Sequence, residues 1–252
     1  MKTLRAISTL CLFILFFSVS KAQDALFPRY ELSLHVGTFV YQGDLTPKDY
    51  GAFNTMKPGF AISATRNFNQ HWAARFQLLH GKLRGDDATY ENPDWRRQRN
   101  FNFTTPVTEL SLQAVRNILS IKANDAGIIN FTPYFFAGVS YSLLNIKRDW
   151  SRFNYSHFAG EPTVVDGLNE DINHKIPKGL FSFPIGGGIR YGINEKISAS
   201  LEGTYRIIGN DYLDGFSRSA NPEMADHYHT LMIGVIYSFG KRDRLDCPKV
   251  RL

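Results

Sequence analysis

The chain has 252 residues, a formal net charge of +6 at pH 7, 14% aromatic residues and 20 glycines, enough material for one barrel with long loops or one large β domain. Its mean hydropathy is −0.24, and no run after residue 22 reaches the roughly 18 apolar residues of a membrane-spanning helix. The basic excess is weak and spread over loops, which speaks against a nucleic-acid surface.

Residues 1–22 read as a cleaved signal peptide. Lys2 and Arg5 form its positive start, and Leu10 to Val19 is an apolar core of about ten residues, too short to span. Ser20 and Ala22 supply small residues before a cut at Gln23. Loss of Lys2, Arg5 and Lys21, with no acid among them, takes the formal charge from +6 to +3. Cys11 leaves with this segment, so Cys247 stands alone and no intramolecular disulfide is expected.

From there the chain alternates. Tyr30 to Tyr41 puts Tyr30, Leu32, Leu34 and Val36 on one face and Glu31, Ser33, His35 and Gly37 on the other. A loop rich in Gly, Asp and Pro follows to Lys57. Gly59 to Phe68 and Trp72 to Leu83 are strands about a tight turn, with Phe60, Ile62, Trp72, Phe76 and Leu78 outward. Arg84 to Asn100 is dense in charge and is expected to be solvated. Phe103 to Val115 is the fourth strand. A medium connection follows, with a helical turn expected at Ile118 to Ile121, and then a fifth strand from Thr132 to Leu144. Asn145 to Gly179 is the longest loop. Leu180 to Tyr191 and Ile197 to Ile207 are strands about the tight turn Gly192 to Lys196. After a loop from Gly209 to Asp226 comes the closing strand, Tyr228 to Phe239. It carries Leu231, Ile233, Val235 and the aromatics Tyr237 and Phe239 on one face.

Connections that run long, short, long, medium, long, short, long are the asymmetry of an outer-membrane barrel. The expected fold is therefore all-β: an antiparallel transmembrane outer-membrane β-barrel over residues 23–239, with both termini in the periplasm. It has eight strands, or ten if Asn145 to Gly179 hides a hairpin. The inward positions carry Glu31, Arg75, Gln77, Glu109, Gln113, Arg190, Glu202 and Arg206. An eight-stranded lumen is just wide enough for side chains, so charges at that density must pair. A plugged interior is the primary expectation and a solute channel the alternative. A soluble barrel would hold its apolar residues inside instead.

Motifs for chemistry are sparse, and no catalytic, metal or cofactor site is expected. His227-x-His229 has a spacing that metals accept, but no third ligand accompanies it. Gly186-Gly187-Gly188 lies inside a strand with no helix after it, which suits strand bending or room for a lumen side chain better than a phosphate cradle. Asp211-Tyr-Leu-Asp214-Gly215 lacks the distal Glu of a calcium loop and reads as a turn. A lipid-modifying enzyme would draw on His80, Ser140, Ser142 and Asp86 near the rim. Residues 240–252 form a basic tail. Its Lys241, Arg242, Arg244, Cys247 and Lys249 are candidates for docking a periplasmic partner, with a solvated chain end as the alternative. Outer-membrane lipid and the barrel-assembly machinery are the other expected partners.

Several stretches together carry a resemblance. They are Gly37-Thr-Phe-Val-Tyr-Gln-Gly-Asp-Leu45, Lys57-Pro-Gly-Phe60, Gly81-Lys-Leu-Arg-Gly-Asp-Asp87, Phe131-Thr-Pro-Tyr-Phe-Phe-Ala-Gly-Val139, Asp211-Tyr-Leu-Asp214 and Cys247-Pro-Lys249. In this order, over nearly the whole mature chain, they resemble a family of small outer-membrane barrels from Bacteroidota that includes PorG-type barrels of the type IX secretion system. The resemblance implies a structural role tethering periplasmic secretion-ring proteins to the outer membrane. A passive surface or adhesion barrel acting through its long loops is the alternative.

Overall fold

The computed structural model describes residues 27–46, 51–119, 131–209, 211–220 and 226–240. Residues 1–22 and the tail from Lys241 onward lie outside them. Eight long strands form the wall: β1 (Tyr30–Gln42), β2 (Lys57–Asn67), β3 (Trp72–Asp86), β4 (Asn102–Asn117), β5 (Phe131–Leu144), β7 (Gly179–Gly192), β8 (Ile197–Ile208) and β9 (His227–Phe239). Every neighbouring pair is antiparallel. The order β3-β2-β1-β9-β8-β7-β5-β4 returns to β3, so the sheet closes into a barrel with no free edge. Closure joins the first and last strands, from Tyr30 opposite Phe239 to Gln42 opposite His227.

The count is thus eight wall strands. The longest loop adds no further hairpin to the wall. It holds a three-residue strand, β6 (Lys147–Asp149), which pairs with the end of β4 that outruns β5, and a helix, α2 (Pro162–Asn173). A shorter helix, α1 (Trp95–Arg99), lies in the β3–β4 loop. No helix among the described residues is long and apolar enough to cross a membrane. Ile118 and Leu119 are exposed bends, and the rest of the helical turn expected there lies outside the described residues.

Two tight turns share one device. Asn69 Oδ1 accepts from the N–H groups of His71 and Trp72, both at 2.8 Å, and Asn194 Oδ1 accepts from those of Lys196 and Ile197, both at 2.9 Å. An Asn side chain that closes its own turn lets the strand reverse within four residues.

The faces sort by polarity in the inside-out sense. Leu34, Ile62, Leu112, Val139, Phe181 and Ile233 point outward, with Phe181 73% exposed, whereas Glu109 and Arg206 inside are at most 1% exposed. Only surrounding hydrocarbon makes that arrangement favourable, because apolar surface in water is costly and the strands' backbone groups are already paired. Tyr30, Tyr237 and Phe239 stack at the turn-side edge of this belt. The glycine run of β7 makes room inside. A Cβ on Gly186 would lie 2.5 Å from the Phe136 ring, and one on Gly188 would lie 2.8 Å from Tyr134.

Pro162, with its fixed φ, opens α2, whose buried side is Gly167, Leu168 and Asp171. At Gly167 the helix meets the β8–β9 loop so closely that a Cβ would lie 2.4 Å from the Arg218 carbonyl oxygen. In a free helix Gly→Ala stabilises by about 1 kcal/mol. Here Gly167→Ala should do the opposite and loosen the docking of α2, read as faster amide exchange over 162–173 and 217–219. Unchanged or slower exchange refutes this packing.

Candidate functional site: a loop cap over a charged lumen

Three ion pairs cross the lumen in tiers. Nearest the tight turns, Arg190 donates to both oxygens of Glu31 at 2.8 Å, and Asn67 adds a donor at 3.1 Å. In the middle, Arg75 donates to both oxygens of Glu202 at 3.0 Å. The Tyr134 hydroxyl donates to Glu202 at 2.6 Å, and His35 Nε2 lies 3.4 Å away. Nearest the loops, Arg206 Nε reaches Glu109 at 2.8 Å, with the Tyr228 hydroxyl donating at 2.7 Å. Each pair joins strands that are not neighbours, β7 to β1, β3 to β8 and β8 to β4. Gln113 bridges Gln77, at 3.2 Å, and Ser111, at 2.9 Å. Within these tiers paired side chains reach across the lumen.

Above them the loops are folded. Arg84 to Asn100 is solvated over Glu91, Asp94 and Arg97, as expected, but Asp87, Arg96 and Arg99 are buried, which corrects that reading at these three. Asp87 is completely buried. It accepts from Arg96 at 3.2 Å, from Arg99 at 2.7 and 3.0 Å, and from the Phe101 N–H at 3.3 Å. The same two arginines reach the backbone carbonyls of Asp44 and Thr46, tying the β3–β4 loop to the β1–β2 loop. Asp171 of α2, equally buried, accepts from the N–H groups of Ser217, Arg218 and Ser219 and from the Ser219 hydroxyl at 2.6 Å. Arg148 of β6 donates to the Gly215 carbonyl, and Asn154 bonds Gln98. All four long loops are thereby locked together. Their centre is an apolar cluster that includes Leu45, Phe101, Phe153, Phe158, Leu168, Leu213 and Phe216, with Phe101 and Phe216 stacked at 4.3 Å.

One cluster in this cap has unusual chemistry. The Tyr41 hydroxyl lies 2.7 Å from Asp214 Oδ2 and 2.5 Å from Asp226 Oδ1. A phenol has a single proton to donate, so the second contact requires a carboxyl O–H that donates to the Tyr41 oxygen. One proton is therefore held on the aspartate pair. Burial pushes both carboxyls above the ordinary carboxylate range, Asp214 to about 7, and the charge of Asp214 adds to the effect at Asp226. Leu213 donates its N–H to Asp226 at 2.9 Å and Phe216 to Asp214 at 2.8 Å, so the acids hold the loop that follows β8. No spacing in the sequence brings Tyr41, Asp214 and Asp226 together. The only hint is the presence of several acids among the apolar residues of this loop.

The other candidate residues are not assembled into a site. His80 faces outward and bonds Thr108 at 2.9 Å. Ser140 and Ser142 face the lumen, bonded to Ser182 at 2.6 Å and Glu109 at 3.5 Å, and Asp86 binds Arg84 and the Ala88 N–H. His227 Nδ1 accepts from the Ile208 N–H, and His229 packs on Phe53. Among the described residues no group of three or more His, Cys, Asp or Glu is placed to hold a metal ion. Lys241, Arg242, Arg244, Cys247 and Lys249 lie outside the described residues.

With this geometry in hand, comparison with known proteins shows that a family model described as a domain of unknown function, DUF6089, matches residues 5–244. The chain belongs to the DUF6089 family. No curated protein matches it. Among solved structures, this DUF6089 barrel is similar to Neisserial surface protein A (13% identity, 83% of this chain and 97% of that one, TM-score 0.45). It is also similar to OprG from Pseudomonas aeruginosa (12%, 87% and 100%, TM-score 0.43) and to Ail of Yersinia pestis in complex with the heparin analogue sucrose octasulfate (12%, 84% and 99%, TM-score 0.42). At these values the likeness is one of general barrel form.

Two predictions follow from the lumen and the cap. Arg206→Ala strands Glu109 in the lumen and should cost about 3–5 kcal/mol in chemical unfolding, whereas the double change Arg206→Leu with Glu109→Leu should regain most of it. Additive losses would refute the pairing. For the cap, the folded state binds the extra proton between the ordinary Asp value and about 7. Stability therefore falls as pH rises through that window, and Asp226, also raised well above its usual value, adds to the fall. Amide exchange over 211–220 should accelerate from pH 4 to pH 8 in the parent, and Asp214→Asn should flatten the dependence. An equal slope in both proteins would exclude the shared proton.

Proposed function

We propose that this barrel resides in a bacterial outer membrane after removal of residues 1–22. There it acts as a non-enzymatic structural component, linking periplasmic machinery to that membrane as an accessory of type IX protein secretion. The observation that carries the structural role is the interior: three cross-lumen ion pairs under an interlocked cap leave the wall, the rims and the chain ends as working surfaces. The inside-out polarity supports residence in a bilayer. Tyr30 opposite Phe239 sets the start of β1 and the end of β9 at the tight-turn rim, and long loops facing outward would put that rim in the periplasm. The basic chain from Lys241 then continues where a periplasmic partner can take it, and the type IX assignment rests on the resemblance quoted above.

A second reading, adhesion through the cap, draws on Trp95 and Tyr155, which stand 41% and 53% exposed on the loops. Aromatics in such positions favour protein contacts. Deleting 241–252 while keeping Phe239 separates the two. Mild-detergent purification from outer membranes should recover periplasmic ring proteins with the full chain and lose them with the truncated one. A barrel that comes down alone in both cases, with binding at the cell surface abolished by Trp95→Ala and Tyr155→Ala, would replace the anchor with the adhesin.

A further inference from the structure

The outward surface is not uniform around the barrel. The register puts Arg84 of β3, Thr104 of β4 and Lys147 of β6 in one row, with Lys82 opposite Pro106 one outward pair nearer the belt. Lys82, Arg84 and Lys147 are all exposed. Strands spaced about 4.8 Å apart, with outward residues about 7 Å apart along each strand, bring these three cations within roughly 12 Å of one another at the backbone. Just below them the apolar belt is interrupted by His80, bonded to Thr108 at 2.9 Å, between Phe60 on one side and Leu143 on the other. Below that pair the wall is apolar again, with Leu78 opposite Leu110 and Phe76 opposite Leu112. Asp86 and Asp149 lie one row further from the belt. Asp86 holds Arg84 at 3.1 Å and the Ala88 N–H, and Asp149 holds the Ser151 N–H at 2.9 Å and Asn102. By contrast, the loop-side ends of β8 and β9 present Tyr205, Ile207, His229 and Leu231 outward and carry no outward Lys or Arg.

We propose that the outward faces of β3, β4 and β6 form a seat for a phosphorylated membrane lipid, with its phosphate on Lys82, Arg84 and Lys147 and its acyl chains along Phe76, Leu78, Leu110 and Leu112. The inference rests on the membrane reading given above. The order along the wall, apolar, polar, cationic, is the order of an anionic lipid from tail to headgroup. Exposed cations alone bind free phosphate weakly in salt, and hydrocarbon beside them selects the lipid.

The test uses the full mature barrel in phosphatidylcholine vesicles doped with lipid A, or with lipid A stripped of its phosphates. Flotation comes first, and a barrel that fails to enter the vesicles sinks the membrane reading itself. Native mass spectrometry of the extracted barrel should then show one retained lipid A. Retention should be about tenfold lower in the K82Q/R84Q/K147Q variant and for the stripped lipid, and unaltered in K196Q at the opposite rim. Circular dichroism checks that the variants are folded. Equal retention by the triple variant, or of the stripped lipid, overturns the seat. Displacement of lipid A by inorganic phosphate would show a free-anion site and overturns the lipid assignment.

Discussion

A barrel of eight strands encloses a space that side chains fill and bulk water does not. Any charge placed on an inward position must therefore find its partner across the lumen, and the rest of the structure is arranged around that demand. Glu31, Glu202 and Glu109 each receive an arginine from a strand that is not their neighbour, and the remaining lone pairs are taken by Asn67, Tyr134 and Tyr228. Pairs of this kind contribute little net stability relative to an apolar filling, but they cannot tolerate the loss of one member. They also specify register. A slip of one residue in any strand would turn its charges to the hydrocarbon side and its Leu or Phe residues into the lumen.

The same demand recurs at the loop end with different solutions. Asp87 is neutralised by Arg96 and Arg99 from a single helical turn, and Asp171 is satisfied by three successive backbone N–H groups and a hydroxyl. Asp214 and Asp226 instead keep a proton between them through Tyr41. Burial of carboxyl groups in loops is costly unless each has such an arrangement, and together these arrangements make the four loops one body. The surfaces left exposed are the cap's aromatics, the apolar outer wall and the turn-side rim.

Much of the wall is legible in the chain alone. Leu32, Leu34 and Val36, and likewise Leu231, Ile233 and Val235, declare their face by a spacing of two, and the tight turns before Trp72 and Ile197 fall where expected, although the alternation does not single out the Asn69 and Asn194 side chains that close them. The loops were harder to read. In α2 the run Pro162 to Asn173 contains Val164, Val165 and Gly167, all weak helix formers, and its buried side is short, so little in it signals a helix. The stretch from Arg84 to Asn100 looked solvated because charge density is its dominant local feature. Within it Asp87, Arg96 and Arg99 are buried because the two arginines fold back on Asp87 while also reaching Asp44 and Thr46, about fifty residues away in sequence.

The sequence by itself determined where strands run, which side chains face outward and that the inward ones are charged, because side-chain alternation follows from local backbone geometry. Which charges meet was decided only by closure of the barrel: Glu31 finds Arg190 at a separation of 159 residues, Glu202 finds Arg75 at 127 and Glu109 finds Arg206 at 97. The shared proton of Asp214 and Asp226 belongs to the same class. It arises from burial and from the approach of Tyr41 across 173 and 185 residues, and a proton equilibrium set by a desolvated contact has no signature in a linear chain.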